Sequence, residues 1–145
     1  MPIINKSALV PYDAVEMYAL VDDIESYPEF LPWCGGSEII ERTDDEVKAS
    51  ILLSRSGIKK TFTTLNRLQR GKMIEMRLVE GPFRHLEGFW RFESLGESAS
   101  KIMFDIEFEF SNKLLAMTVG PVFSQITSTM VDAFTTRAVE VYGKR

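Results

Sequence analysis

Residues 100–142 read SKIMFDIEFEFSNKLLAMTVGPVFSQITSTMVDAFTTRAVEVY, and the hydrophobic period changes in the middle, at Asn112. Before Asn112, Ile102, Phe104, Ile106, Phe108 and Phe110 alternate with Met103, Asp105, Glu107 and Glu109, the period-two pattern of a half-buried strand. After it, Val119, Phe123, Ile126, Met130, Phe134, Arg137 and Val141 recur at helical spacing, with Gly120-Pro121 as a break near the start. A helix of more than about 20 residues cannot leave such a stripe in water. The only partner large enough for it is the concave face of a sheet.

Working outward, the period is two from Ser37 to Phe110. Strands are predicted at 37–43, 46–54, 58–69, 72–79, 85–95 and 100–110. Asp44-Asp45, Ser56-Gly57, Arg70-Gly71, Gly81-Pro82 and Gly96–Ser98 form the turns. These connections are too short for parallel crossovers, so the sheet is an antiparallel meander. The strand at 85–95 puts Leu86, Gly88, Trp90 and Phe92 inward and Phe89, Arg91 and Glu93 outward. Upstream, Ile3–Val10 reads as a strand stopped by Pro11, and Tyr12–Val21 as a helix. A second short helix, Asp23–Tyr27, ends before Pro28. Tyr27–Trp33 follows as a proline-punctuated aromatic loop, and Gly35-Gly36 releases the chain into the sheet. The expected architecture is α+β: one domain over residues 1–145, a curved antiparallel sheet around a long C-terminal helix, with two short helices after the first strand.

The chain has 145 residues, 45% of them hydrophobic, a globular composition with room for a core. Net charge is −4, which argues against a bulk electrostatic hold on nucleic acid. The charge is uneven, however. Between Val47 and Ile74 there is no acid, but there are seven bases: Lys48, Arg55, Lys59, Lys60, Arg67, Arg70 and Lys72. One cysteine, Cys34, and one histidine, His85, exclude a disulfide framework and a Cys/His zinc cluster, so no metal is expected. No signal peptide is legible. The uncharged run Leu114–Val131 approaches membrane-spanning length, but eight of its 18 residues are Thr, Ser, Gln, Gly or Pro, which reads as an amphipathic core helix. The expected location is the cytoplasm.

Catalytic motifs are missing. There is no G-x-G-x-x-G, no phosphate-cradling G-x-x-x-x-G-K-[ST] and no G-x-S-x-G. His85 is either a polar group at a cavity mouth or a surface turn histidine. Cys34 reads as a buried, inert thiol. Asp105, Glu107 and Glu109 share an outer strand face, where cross-strand pairing with Arg91 accounts for them without acid–base chemistry. No catalytic residue and no required cofactor emerge, and the chain reads as a non-enzyme.

What remains is an apolar interior between sheet and helix, suited to an apolar small molecule. Its candidate lining is Phe62, Met76, Leu78, Trp90, Phe92, Phe104, Phe108, Phe123, Met130 and Phe134, with Phe83 at the neighbouring turn. Met adapts well to a ligand. Tyr27, Phe30, Leu31 and Trp33 form a stiff flap that either closes over the cavity or plugs it.

Three ordered motifs carry a family resemblance: Asp23–Cys34, Gly81-Pro82-Phe83 followed by Leu86, Gly88, Trp90 and Phe92, and Met130–Phe134 with Arg137-Ala138. Together they resemble the coenzyme Q-binding START-like family, whose bacterial members are described as ribosome association toxins or as polyketide cyclase/dehydrase and lipid-transport proteins. The resemblance implies the helix-grip (START / Bet v 1-like) fold. It implies ubiquinone or another polyprenyl lipid as bound ligand, tail along the long helix and head under the Tyr27–Trp33 loop, in support of respiration. The alternative it implies is a toxin-like translation inhibitor on the large ribosomal subunit, blocking subunit association and open to an antitoxin partner. Lys59, Lys60, Arg67, Arg70 and Lys72 would then meet rRNA phosphates or, peripherally at the inner membrane, anionic lipid. A polyketide cyclase or dehydratase ranks last, because it needs a base in the cavity.

Overall fold

A computed structural model describes residues 2–145. The described residues form one antiparallel sheet of seven strands: β1 (Ile3–Val10), β2 (Cys34–Arg42), β3 (Glu46–Arg55), β4 (Ile58–Gln69), β5 (Met73–Glu80), β6 (Phe83–Ser94) and β7 (Ser100–Phe110). The spatial order is β1-β7-β6-β5-β4-β3-β2, a meander from β2 to β7 with β1 returned to the β7 edge. In β7, Ile102, Phe104, Ile106, Phe108 and Phe110 are all buried, as their alternation predicts. Register shifts at Cys34/Gly36, Ile39/Glu41, Thr63/Thr64 and Phe83/His85 interrupt the ladders. Such irregularities bend strands, and they curve the sheet around its helical filling.

The concave side holds α1 (Ala14–Asp22), a 3-10 turn (Ile24–Ser26), α2 (Tyr27–Phe30), α3 (Lys113–Thr118), α4 (Gly120–Ser128) and α5 (Met130–Tyr142). The fold is the helix-grip. Asp13 caps α1 rather than joining it: its carboxylate accepts from Glu16 N–H, and Glu16 accepts from Asp13 N–H. Arg145 forks onto Glu16 at 2.7 and 2.9 Å and holds its carboxyl below the usual range.

Two expectations about helices change. Pro28 does not end a helix; it sits in the first turn of α2, where a missing N–H costs nothing. Half of the expected Tyr27–Trp33 loop is therefore helical. The C-terminal rod is also broken twice, not once. Besides Gly120-Pro121, it stops at Thr129, where Thr127, Ser128 and Thr129 donate their hydroxyls to the carbonyls of Phe123, Gln125 and Ile126. Such back-bonding competes with the helical ladder and bends it. Past that break the stripe rotates: Phe134 and Ala138 are buried, whereas Val141 is 49% exposed.

Candidate functional site

A cavity of about 60 Å³ lies between sheet and helices. From the sheet come Ile51, Phe62, Thr64, Asn66, Met76, Leu86, Gly88, Trp90, Phe104 and Ile106; from the helical side come Ile24, Tyr27, Trp33, Phe123, Ile126, Thr127 and Met130. Gly88 is needed at the floor, because a Cβ there would stand 2.8 Å from Met76 Cε and 3.2 Å from the Asp105 carbonyl oxygen.

Phe62, Met76, Trp90, Phe104, Phe123, Met130 and, from the flap, Tyr27 and Trp33 thus border the cavity. The other expected lining residues pack elsewhere. Phe83 stacks on Phe110 at 4.8 Å, and Phe108 meets Phe123 at 4.7 Å, closing the end near the β5–β6 turn. Phe92 lies between Trp90 and Tyr18. Phe134 fills the space between Trp90, Tyr27 and Phe30. Leu31 is buried under a separate cleft with Pro32, Arg55 and Ala133. Leu78 is half-buried near the β5–β6 turn, beside Gly81.

The cavity wall is not wholly apolar. Thr64 donates to Asn66 Oδ1 at 2.9 Å, and Asn66 is only 6% exposed. Both residues border the cavity, so a hydroxyl–amide pair stands in an otherwise apolar wall, and no buried side-chain nitrogen or oxygen among the described residues lacks a hydrogen-bond partner. Thr64 and Asn66 lie at core-facing positions of a strand that carries three bases and no acid; the inward parity of Phe62, Thr64 and Asn66 is the signal that could have found them. Among the described residues lining the cavity there is no His, Asp, Glu, Lys or Arg. The Tyr27 hydroxyl donates to the Val21 carbonyl, and burial pushes its pKa well above the usual phenol range.

His85 is not at the cavity mouth. It stands on the outer sheet face, with Nε2 2.9 Å from Glu107 and 3.9 Å from Glu87. The expected pairing of Arg91 with the β7 acids also fails: the register sets Arg91 opposite Met103, and its guanidinium lies over Phe89. Glu109 pairs instead with Arg84 at 3.0 Å, and Asn5 donates to Asp105. Cys34 is buried and donates to the Gly36 carbonyl, and burial raises its pKa.

The five candidate surface bases do not form one patch. β4 is extended, so Lys59 and Arg70 are separated by about 36 Å at about 3.3 Å per residue. Lys59 and Arg67 share the outer face with Lys48, which sits opposite Leu65; Arg67 lies 3.7 Å from Glu46. Arg70 and Lys72 occupy the far hairpin, beyond the end of β4. Lys60 belongs to the inner side, at the end next to α3.

Known proteins place this arrangement. Residues 10–135 match the family model described as polyketide cyclase / dehydrase and lipid transport. The chain is 50% identical over 145 residues to the ribosome association toxin RatA of Escherichia coli K12, covering 100% of this chain and 92% of that protein. It is 23% identical over 145 residues to the mitochondrial coenzyme Q-binding protein COQ10 homolog B of Xenopus laevis, covering 97% of this chain and 59% of that one. The aromatase/cyclase Zhui of Streptomyces sp. R1128 superposes with a TM-score of 0.84 at 16% identity, covering 99% of both chains, a likeness of fold. By its matched length and its half-identical full-length relative, the chain belongs to the START-like polyketide cyclase/dehydrase and lipid transport family.

Proposed function

We propose that this protein associates with the ribosome and restrains translation, holding the large subunit so that the subunits do not join. The observation that carries this reading is the 50% identity, along the whole chain, to a protein named ribosome association toxin. The outer sheet face supports it: Lys48, Lys59 and Arg67 point the same way from β3 and β4. We read the protein as a binding protein rather than an enzyme, acting in the cytoplasm, since the cavity offers a cyclase or dehydratase step no base. Binding to purified large subunits is expected to fall linearly with log salt concentration. Lys48→Glu with Arg67→Glu should weaken it and flatten the slope by about one for each phosphate no longer neutralised. Absence of binding at about 50 mM salt, where phosphate contacts are strongest, would reject the proposal.

A second reading rests on Asn66. A nine-tenths-buried amide in an otherwise apolar cavity wall marks the point where the polar end of a ligand would meet it. A hydrophobic molecule bearing one hydrogen-bonding oxygen, such as a ubiquinone head group, would supply that end. An aromatic ring needs about 150 Å³, so the cavity must widen to admit one, with the flexible Met76 and Met130 moving first. Short-chain ubiquinone is expected to quench Trp90 fluorescence, and Asn66→Leu to weaken that binding about tenfold or more. Equal affinity in the variant would remove Asn66 from the reading.

A further inference from the structure

The end of the sheet formed by the β3–β4 turn, the β5–β6 turn and the β7–α3 junction carries a feature that the core does not explain. α3 contains no buried residue. Leu114 and Met117 project from it, 69% and 68% exposed, three residues apart and so on one face. Leu115, on the other side, packs against the core. Large apolar side chains this exposed, side by side, add nothing to the stability of the chain and make a sticky patch in water. Beside them runs a groove of about 480 Å³ between α3 and the β3–β4 hairpin, with Lys59 and Lys60 on its far wall. Lys113 begins α3 itself. Lys59, Lys60 and Lys113 make no salt bridge among the described residues, so three free ammonium groups flank two exposed apolar side chains.

We infer that this tip is a docking surface for an anionic lipid bilayer, with Leu114 and Met117 entering the acyl boundary and Lys59, Lys60 and Lys113 lying at the level of the phosphates. The pairing of chemistries selects this occupant. An rRNA backbone would use the lysines and leave Leu114 and Met117 without a partner, whereas a bilayer uses both. No helix of the described residues is long and apolar enough to cross a membrane, so the contact is peripheral. The tip adjoins the cavity. Lys60 lies two residues from Phe62, and Val119, which borders the groove, is one helical turn from Phe123; both aromatics line the interior. Docking here would bring the Phe62–Phe123 end of the cavity against the lipid.

The test is flotation of the full chain with large unilamellar vesicles of phosphatidylcholine containing about 30% phosphatidylglycerol, against pure phosphatidylcholine. Binding is expected to the anionic vesicles and to be at least about tenfold weaker on neutral ones, since each lysine near an anionic surface contributes about fivefold. Leu114→Asp with Met117→Asp should abolish flotation without lowering the melting temperature, because both side chains are exposed in the free protein. Lys60→Glu with Lys113→Glu should weaken it and reduce its salt dependence. The same variants are then pelleted with purified large ribosomal subunits. Leu114→Asp/Met117→Asp must leave that binding unchanged. The inference is overturned if anionic vesicles do not bind the protein at about 50 mM salt, where charge attraction is little screened. It is equally overturned if the aspartate pair floats like the unmodified chain, or if the pair loses ribosome binding and not vesicle binding.

Discussion

Phe134→Ala is expected to destabilise the protein by about 3–5 kcal/mol, the largest single effect on the core. Phe134 is 0% exposed and lies at the one point where three layers meet. Its ring contacts Trp90 from the sheet at 5.2 Å, Phe30 from α2 at 5.2 Å and Tyr27 at 5.6 Å. Arg137, one turn on, lies over Phe30 and 3.2 Å from Glu29, so α5 and α2 are tied at two adjacent points. Removing the ring leaves a void that Trp90 cannot fill, because its other face is stacked on Phe104 at 4.5 Å. With total stabilities of about 5–15 kcal/mol typical, the melting temperature should fall by about 10 °C or more. Val139→Ala, at an exposed α5 position, should change stability by less than about 0.5 kcal/mol. Urea denaturation checks both, and a loss below about 1 kcal/mol at Phe134 would mean that the three layers do not depend on its ring.

The second large effect is at a turn. Gly81→Ala is expected to cost about 2–4 kcal/mol from two causes that add. Gly81 has φ +152°, a region that residues with a Cβ rarely adopt. A Cβ there would also stand 2.7 Å from Phe62 Cβ and 3.2 Å from Phe62 Cα, and backbone cannot swing aside as a side-chain tip can. Gly57→Ala separates the causes: Gly57 has φ +80° but no atom near the added Cβ, so it should show only the strain, about 1 kcal/mol. Equal losses at the two glycines would show that the contact between the β5–β6 turn and β4 is loose. Because Phe62 lines the cavity, Gly81→Ala should also disturb any ligand bound there.

The sheet and its order are legible in the sequence because alternation in β6 and β7 is nearly uninterrupted and the turns are short. Trp90 can be assigned to the interior from strand parity and Phe123 from helical spacing. Details that depend on register or local hydrogen bonding are not legible. The partners of the β7 acids follow from the shift between Phe83 and His85, which brings His85 opposite Glu109 and leaves Arg91 opposite Met103. The break at Thr129 comes from three hydroxyls turning back on their own helix, a choice that apolar spacing does not record. Phe92, Phe108 and Phe134 do lie inside, but the interior is larger than the cavity, and hydrophobicity alone cannot separate a wall from its backing. Thr64 and Asn66 escape notice for the opposite reason: polar residues at core positions look like surface until the strand's parity is followed. The basic stretch is continuous in sequence, yet an extended β4 spreads it over both ends of the sheet.

The association with the ribosome is tested most directly by sucrose-gradient sedimentation of lysates at low salt after overexpression of the unmodified chain. The proposed function predicts that the protein travels with the large-subunit fraction, while joined ribosomes decline and free subunits accumulate. Protein confined to the top of the gradient, with the ratio of joined ribosomes to free subunits unchanged, would contradict it.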